Sequence, residues 1–191
     1  MAREIGASRN YTYKAGVWQE DAYRGLLWST MGAATRTTQY TSPSWSWASL
    51  IEQTEYLNKV FYQVTKDIAE IVHIDVTNAG DDRYGQVSSA SLKFQSQWRS
   101  INPWDQGHWG FPSRSSSENI LVYFGLDVTR GQYGLGQDII CLQIVKAIKF
   151  GQGNSLPPIL YTLLLEPTNH GKLKNEYQRI GLAVIPTHCK M

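Results

Sequence analysis

The most suggestive chemistry lies in Pro103-Trp104-Asp105-Gln106-Gly107-His108-Trp109-Gly110, where an imidazole, a carboxylate and two indoles crowd together. Trp104 and Trp109 could stack a ligand ring, with Asp105 and His108 as polar contacts. Glu118 would add a second acid, and an imidazole beside carboxylates is the material of general acid–base hydrolysis. The plainer reading, a surface loop pinned by two tryptophans, is preferred, because connecting segments ordinarily run over the surface. His73 and Asp75 are two apart and would share a strand face as a base and its orienter. Their alternation with Val72, Ile74 and Val76 explains both without catalysis, as the polar side of a half-buried strand. His188 and Cys189 lack a second pair at zinc spacing. Gly131-Gln132-Tyr133-Gly134-Leu135-Gly136 has no Gly-Lys-Ser/Thr after it and leads into a strand rather than a helix, so it reads as a strand connection. No Gly-x-Ser-x-Gly elbow occurs. No catalytic, cofactor-binding or metal-binding residue is therefore assigned, and no cofactor is expected.

The elements that would position such groups follow from composition and pattern. A chain of 191 residues with 42% hydrophobic and 18% charged content suits one folded domain. A net charge of +2 with scattered Lys and Arg argues against a nucleic-acid partner. Two cysteines make no disulfide scaffold, and Cys141, in an apolar run, reads as a small buried residue. The first twenty residues hold no signal-peptide core and no apolar run approaches a membrane span, so an intracellular, cytoplasmic protein is expected.

Gln19 to Met31 reads as a helix: Asp21 favours its start, and Tyr23, Leu26, Leu27 and Thr30 follow the i, i+3, i+4, i+7 stripe. In Tyr40-Thr41-Ser42-Pro43-Ser44-Trp45-Ser46-Trp47-Ala48-Ser49, alternation predicts a strand begun at Pro43, with Trp45 and Trp47 on one face against the helix stripe. Residues 56–66 are read as strand. Val72–Val76 and Val87–Phe94 form a hairpin around the Asn78–Gly85 turn, and 96–119 is a long loop. Ile120–Leu126, Asp138–Ile148, Ile159–Glu166 and Tyr177–Ile185 complete the strands. Closely spaced strands without intervening helices predict a mainly β (α+β) fold, an antiparallel sandwich or barrel with the N-terminal helix packed beside it.

Several of these stretches, in this order, resemble the fungal heterokaryon incompatibility (HET) family. Pro43-Ser44-Trp45-Ser46-Trp47-Ala48-Ser49 is similar to its Pro-Ser-Trp-Ser-Trp-Ala-Ser signature, Ala15-Gly16-Val17-Trp18 to its Ala-Gly-Leu-Trp, and Leu26-Leu27-Trp28 to its Leu-Leu-Trp. Gly80-Asp81-Asp82-Arg83-Tyr84-Gly85-Gln86-Val87 resembles a family turn, and Cys141–Ile144 and Tyr177–Gly181 resemble two later strands. Val17, Thr41-Ser42 and Leu50-Ile51 depart from the pattern. The resemblance covers the end of the HET region and the segment after it, without the family's large N-terminal portion. It implies residues 1–55 as the terminal helix and Trp strand of a HET-like region and 56–191 as a C-terminal β module, packed as one unit. Trp18, Trp28, Pro43, Trp45, Trp47, Ser49, Gly85, Arg179 and Gly181 would be its structural residues. The implied setting is non-self recognition and cell death in fungi, with this truncated chain a non-catalytic interaction or scaffold module for a protein partner. An aromatic-rich carbohydrate-binding module is the alternative, and exposure of Trp45 and Trp47 on one sheet face would favour it.

Overall fold

The computed structural model describes residues 2–30, 34–51, 54–56, 62–101, 123–126, 139–149, 158–168 and 176–187. In chain order the elements are α1 (Ala2–Arg9), β1 (Tyr13–Lys14), β2 (Val17–Trp18), a 3-10 turn at Gln19–Asp21, α2 (Ala22–Gly25) and β3 (Trp28–Thr30). A second 3-10 turn at Trp47–Ser49 precedes β4 (Thr54–Tyr56), β5 (Tyr62–Asp67), β6 (Glu70–Asn78), β7 (Val87–Gln95) and β8 (Trp98–Ile101). The C-terminal strands are β9 (Tyr123–Leu126), β10 (Ile139–Lys149), β11 (Ile159–Pro167) and β12 (Tyr177–Pro186). The protein is mainly β, and every named strand pairing is antiparallel.

The main sheet has six strands in the order β5-β10-β11-β12-β9, with β8 also on β10. β5 pairs with Val145–Lys149 of β10 and β8 with Ile139–Leu142, so the two lie end to end along the same edge. Between them the chain leaves the sheet as the β6–β7 hairpin and returns. The departure point is a bulge in β10 between Gln143 and Val145. There the Ile144 carbonyl accepts from the amides of Ile68 (2.8 Å) and Ala69 (3.0 Å), and the Gln143 amide donates to the Gln97 carbonyl (3.0 Å). A bulge bends its strand and frees backbone groups, here used to root the hairpin.

Two cores result. Leu142, Val145, Ala147, Ile159, Tyr161, Leu163 and Leu182 pack on one sheet face with Leu27, Ala69 and the half-buried Tyr23 and Phe94. The second core lies under the hairpin, where Ile74 and Val87 meet Ala15, Val17, Ala22, Leu26 and Trp45. Phe94 borders both. A smaller cluster joins Trp28, Ala34, Leu50 and the half-buried Tyr56.

Several sequence expectations are corrected here. The helix expected over Gln19–Met31 is only the Gln19–Asp21 turn and four residues of α2, after which the chain is extended as β3. Tyr23, Leu26 and Leu27 are inward-facing, but Leu26 and Leu27 serve different cores, which a single helical stripe cannot do. The expected strand at Ser44–Ala48 is a compact turn, closed by Ser46 N–H donating to the Pro43 carbonyl (2.9 Å) and continued as the 3-10 turn. Trp45 and Trp47 consequently do not share a face: Trp45 is 8% exposed and Trp47 40%. Finally, Trp98–Ile101 is strand β8 rather than part of the long loop.

The four C-terminal strands and the 70–95 hairpin lie where expected, and β5 supports the strand reading of 56–66 within its described part. Val72 is exposed, against the expected alternation, because a bulge between Ile71 and His73 shifts the register.

Candidate functional site

Several of the residues that carry the resemblance converge on Arg179. It lies on β12 beside a bulge, because Gly181 and Arg179 pair with the consecutive Leu164 and Leu165 of β11 and Ile180 is the extra residue. Such a bulge re-aims the neighbouring side chain, and Arg179 is 1% exposed. Its guanidinium carbon stands 3.5 Å from the centroid of the Trp28 ring, a cation–π contact worth about 0.5–2 kcal/mol. Nη1 donates to the Leu26 carbonyl at 2.7 Å and Nη2 to the Trp28 carbonyl. The planar fork of arginine suits this double attachment better than a lysine ammonium would. Its main chain is held as well. The Arg179 N–H donates to Ser44 Oγ (3.0 Å), and Arg36 Nη2 donates to the Arg179 carbonyl.

The 43–49 turn ties further elements to this point. Trp28 Nε1 donates to the Trp45 carbonyl (3.2 Å), and Trp47 Nε1 donates to the Gly16 carbonyl (2.9 Å). Ser46, fully buried, accepts from the Ala48 N–H through Oγ (3.2 Å) and caps the 3-10 turn. Ser49 Oγ donates to the Ser46 carbonyl (2.8 Å) and accepts from Arg36 Nη1 (3.4 Å). Ala15 and Gly16, at φ 45° and 96°, are the two central residues of the tight β1–β2 hairpin, the positive-φ geometry that matches strand twist. Gly16 is required twice over, since a Cβ there would also come within 2.4 Å of Ser46 Oγ. Pro43 is buried at the start of the turn, and Gly181 is buried between Leu164 and Leu126 on the neighbouring strands.

Trp18 belongs to an aromatic group rather than to the Arg179 cluster. Its ring lies 5.5 Å from Tyr13 and 6.0 Å from Tyr11, and Tyr13 lies 5.2 Å from Tyr84. Gly85 ends the 82–85 turn, where its amide donates to the Asp82 carbonyl (3.0 Å) and Asp82 Oδ1 accepts from Tyr84 N–H (3.0 Å).

These groups are poor material for catalysis. Burial pushes the Cys141 thiol up to about 12, so it is not a thiolate nucleophile near neutral pH. Tyr13 and Tyr56 are raised by burial; a Gly16 backbone hydrogen bond partly offsets this for Tyr13, while for Tyr56 the Tyr13 phenol adds to it and Arg179 opposes it. His73 and Asp75 are exposed on β6, paired in register with Lys93 and Ser91. Among the described residues no three His, Cys, Asp or Glu side chains gather where they could hold a metal ion. Trp104, Asp105, His108, Trp109, Glu118, His188, Cys189 and the 131–136 glycines lie outside the described residues.

Sequence reasoning missed Arg36 and the helix α1. A lone arginine in a Thr-rich connector carries no periodic signal, and its role depends on β12, 143 residues away. Among the described residues no helix is long and apolar enough to cross a membrane, which leaves strand-based spanning unaddressed. Compared with protein-family models, with curated proteins and with solved structures, the chain matches none.

Proposed function

We infer that the chain is a non-catalytic interaction or scaffold module, related to the HET proteins of fungal non-self recognition. The observation behind this is the use made of the resembling residues. Ser44, Trp47, Ser49, Trp28 and Arg179 direct their side-chain polar groups at one another or at backbone, the Trp45 carbonyl among them. A signature spent on holding segments together suits a module whose surface, rather than a reactive group, does the work. The setting of cell death and a protein partner in the cytoplasm rests on the resemblance.

Expression of the chain in a filamentous fungus, with viability scored after hyphal fusion, tests this. A scaffold predicts a response that is lost with the fold in Arg179→Ala and retained in His73→Ala, Asp75→Ala and Cys141→Ser. Loss of the response in His73→Ala or Asp75→Ala, with unchanged thermal unfolding, would place the working surface on that face of β6, whereas a response retained in Arg179→Ala despite a lost fold would overturn the scaffold reading. The carbohydrate alternative loses its original support, because Trp45 and Trp47 do not form one exposed face.

A further inference from the structure

A polar groove of about 530 Å³ runs between α1 and the tip of the β6–β7 hairpin. One wall is a helical face with Arg3, Gly6 and Ala7 at the i, i+3, i+4 spacing, extended by Asn10 just past the end of α1, where the backbone turns at φ 54°. The opposite wall is the turn Asp81–Tyr84, and Tyr11 and Thr12 close one end. Small residues on α1 keep the space open. At Gly6 the hairpin tip comes closest, as a Cβ there would lie 2.8 Å from Tyr84 Oη and the tyrosine would have to shift. Arg3 links the walls, with Nη2 3.6 Å from Asp82 Oδ1 and its guanidinium carbon 5.9 Å from the Tyr84 ring centroid. The turn is rigid where it faces the groove, because Asp82 is bonded to the Tyr84 and Gly85 amides.

We propose that this groove binds a short neutral saccharide. The lining sets two arginines against two aspartates, so it has no net attraction for a polyanion such as phosphate or nucleic acid. Two neighbouring carboxylates beside two arginines are likewise a poor cation site. Sugar hydroxyls both donate and accept, and the lining offers both capacities: acceptors on Asp81, donors on Arg83, and both on Asn10 and Tyr11, while the hydroxyl of Thr12 is engaged by the Glu20 carboxylate. Tyr11 adds an amphipathic ring, and Tyr84, packed against Tyr13 and covered by Arg3, forms a fixed wall. The volume falls in the range of small-molecule sites and is too small for a folded partner. This site is separate from the Arg179 cluster and does not depend on the scaffold reading.

The test is amide-resolved NMR of the full chain titrated with triacetylchitotriose, laminaritriose, cellotriose and mannotriose to about 10 mM, the range of weak sugar sites. At least one should give saturable shifts centred on residues 3–12 and 81–84. Ala7→Trp, which places a ring in the groove from an exposed position, should weaken that binding about tenfold or more, and Asp81→Asn about threefold or more. Asp81→Asn carries the test by itself where Ala7→Trp alters the unfolding midpoint. The proposal is overturned when none of the four sugars shifts these amides, when the shifts are undiminished in Asp81→Asn, or when inorganic phosphate binds there in their place.

Discussion

Arg179 and the two signature tryptophans give the sharpest predictions at the scale of single residues. Removing the guanidinium leaves the Leu26 and Trp28 carbonyls without these donors and takes the cation off the Trp28 face. Arg179→Ala should cost about 3–5 kcal/mol, the scale of breaking a buried charged contact. Arg179→Lys should recover less than half of it, because an ammonium cannot reproduce the fork. Trp45→Ala should cost about 3–5 kcal/mol as a buried indole, whereas Trp47→Ala should cost about 1 kcal/mol for its bond to Gly16. Urea unfolding of the four variants checks this, and equal losses at Trp45 and Trp47 would contradict the turn. Cys141 sets a pH dependence. Its folded value, about 12 against an ordinary 9.0, means that the folded chain binds more protons than the unfolded chain between those values. Stability should therefore be fully present below pH 9 and fall as pH rises toward 12, by up to about 1.4 kcal/mol per unit for one thiol. The raised Tyr13 and Tyr56 act in the same direction above their ordinary 10.0. Cys141→Ala should flatten the slope in unfolding measured from pH 8 to 11.

At the scale of elements, the tight turn at Ala15–Gly16 and the compact turn at 43–49 are fitted to each other. Gly16→Ala meets both a backbone conformation that L side chains rarely adopt and the Ser46 hydroxyl. It should cost more than the ~1 kcal/mol typical of an unfavourable glycine replacement. Ser46→Ala removes the obstructing oxygen together with a cap of about 1 kcal/mol. The double variant should therefore lose less than the sum of the two single losses, a coupling that a double-mutant cycle reads directly. Strict additivity would mean that the two turns do not touch. The β6–β7 hairpin shows a similar dependence. A two-stranded ribbon is marginal alone, and its inner residues Ile74 and Val87 are buried only because the N-terminal segment and Trp45 cover them.

Across the whole molecule, protection should follow pairing. β10, β11 and β12 are central in the main sheet and supply most of its fully buried apolar side chains. Their amides should exchange slowest, by global unfolding, while those of α1 and β1 exchange by local opening. Hydrogen exchange read by mass spectrometry separates the two classes, and protection of α1 equal to that of β11 would refute the ordering. Arg179→Ala should selectively speed exchange in β3 and the 43–49 turn, because that residue joins them to β12.

The C-terminal strands and the 70–95 hairpin were legible in the chain itself. Runs of nine to eleven residues rich in apolar and β-branched side chains are a local property, and turn formers mark their ends. Burial of Cys141 could be read in the same way, from an apolar run. The 19–31 segment misled because the helical stripe Tyr23, Leu26 and Leu27 is equally consistent with a short turn followed by a strand, and only the separation of two cores chooses between them. Trp45-Ser46-Trp47 alternates perfectly and is still no strand. Among the described residues no strand pairs with its backbone, and the amides of Ser46 and Ser49 instead close local turns. The place of Arg179 depended entirely on tertiary structure: its carbonyl partners lie more than 150 residues away, and a bulge decides where its side chain points. The groove beside α1 is of the same kind, since a helical face and a hairpin tip 71 to 81 residues further along become one surface only when the chain has folded.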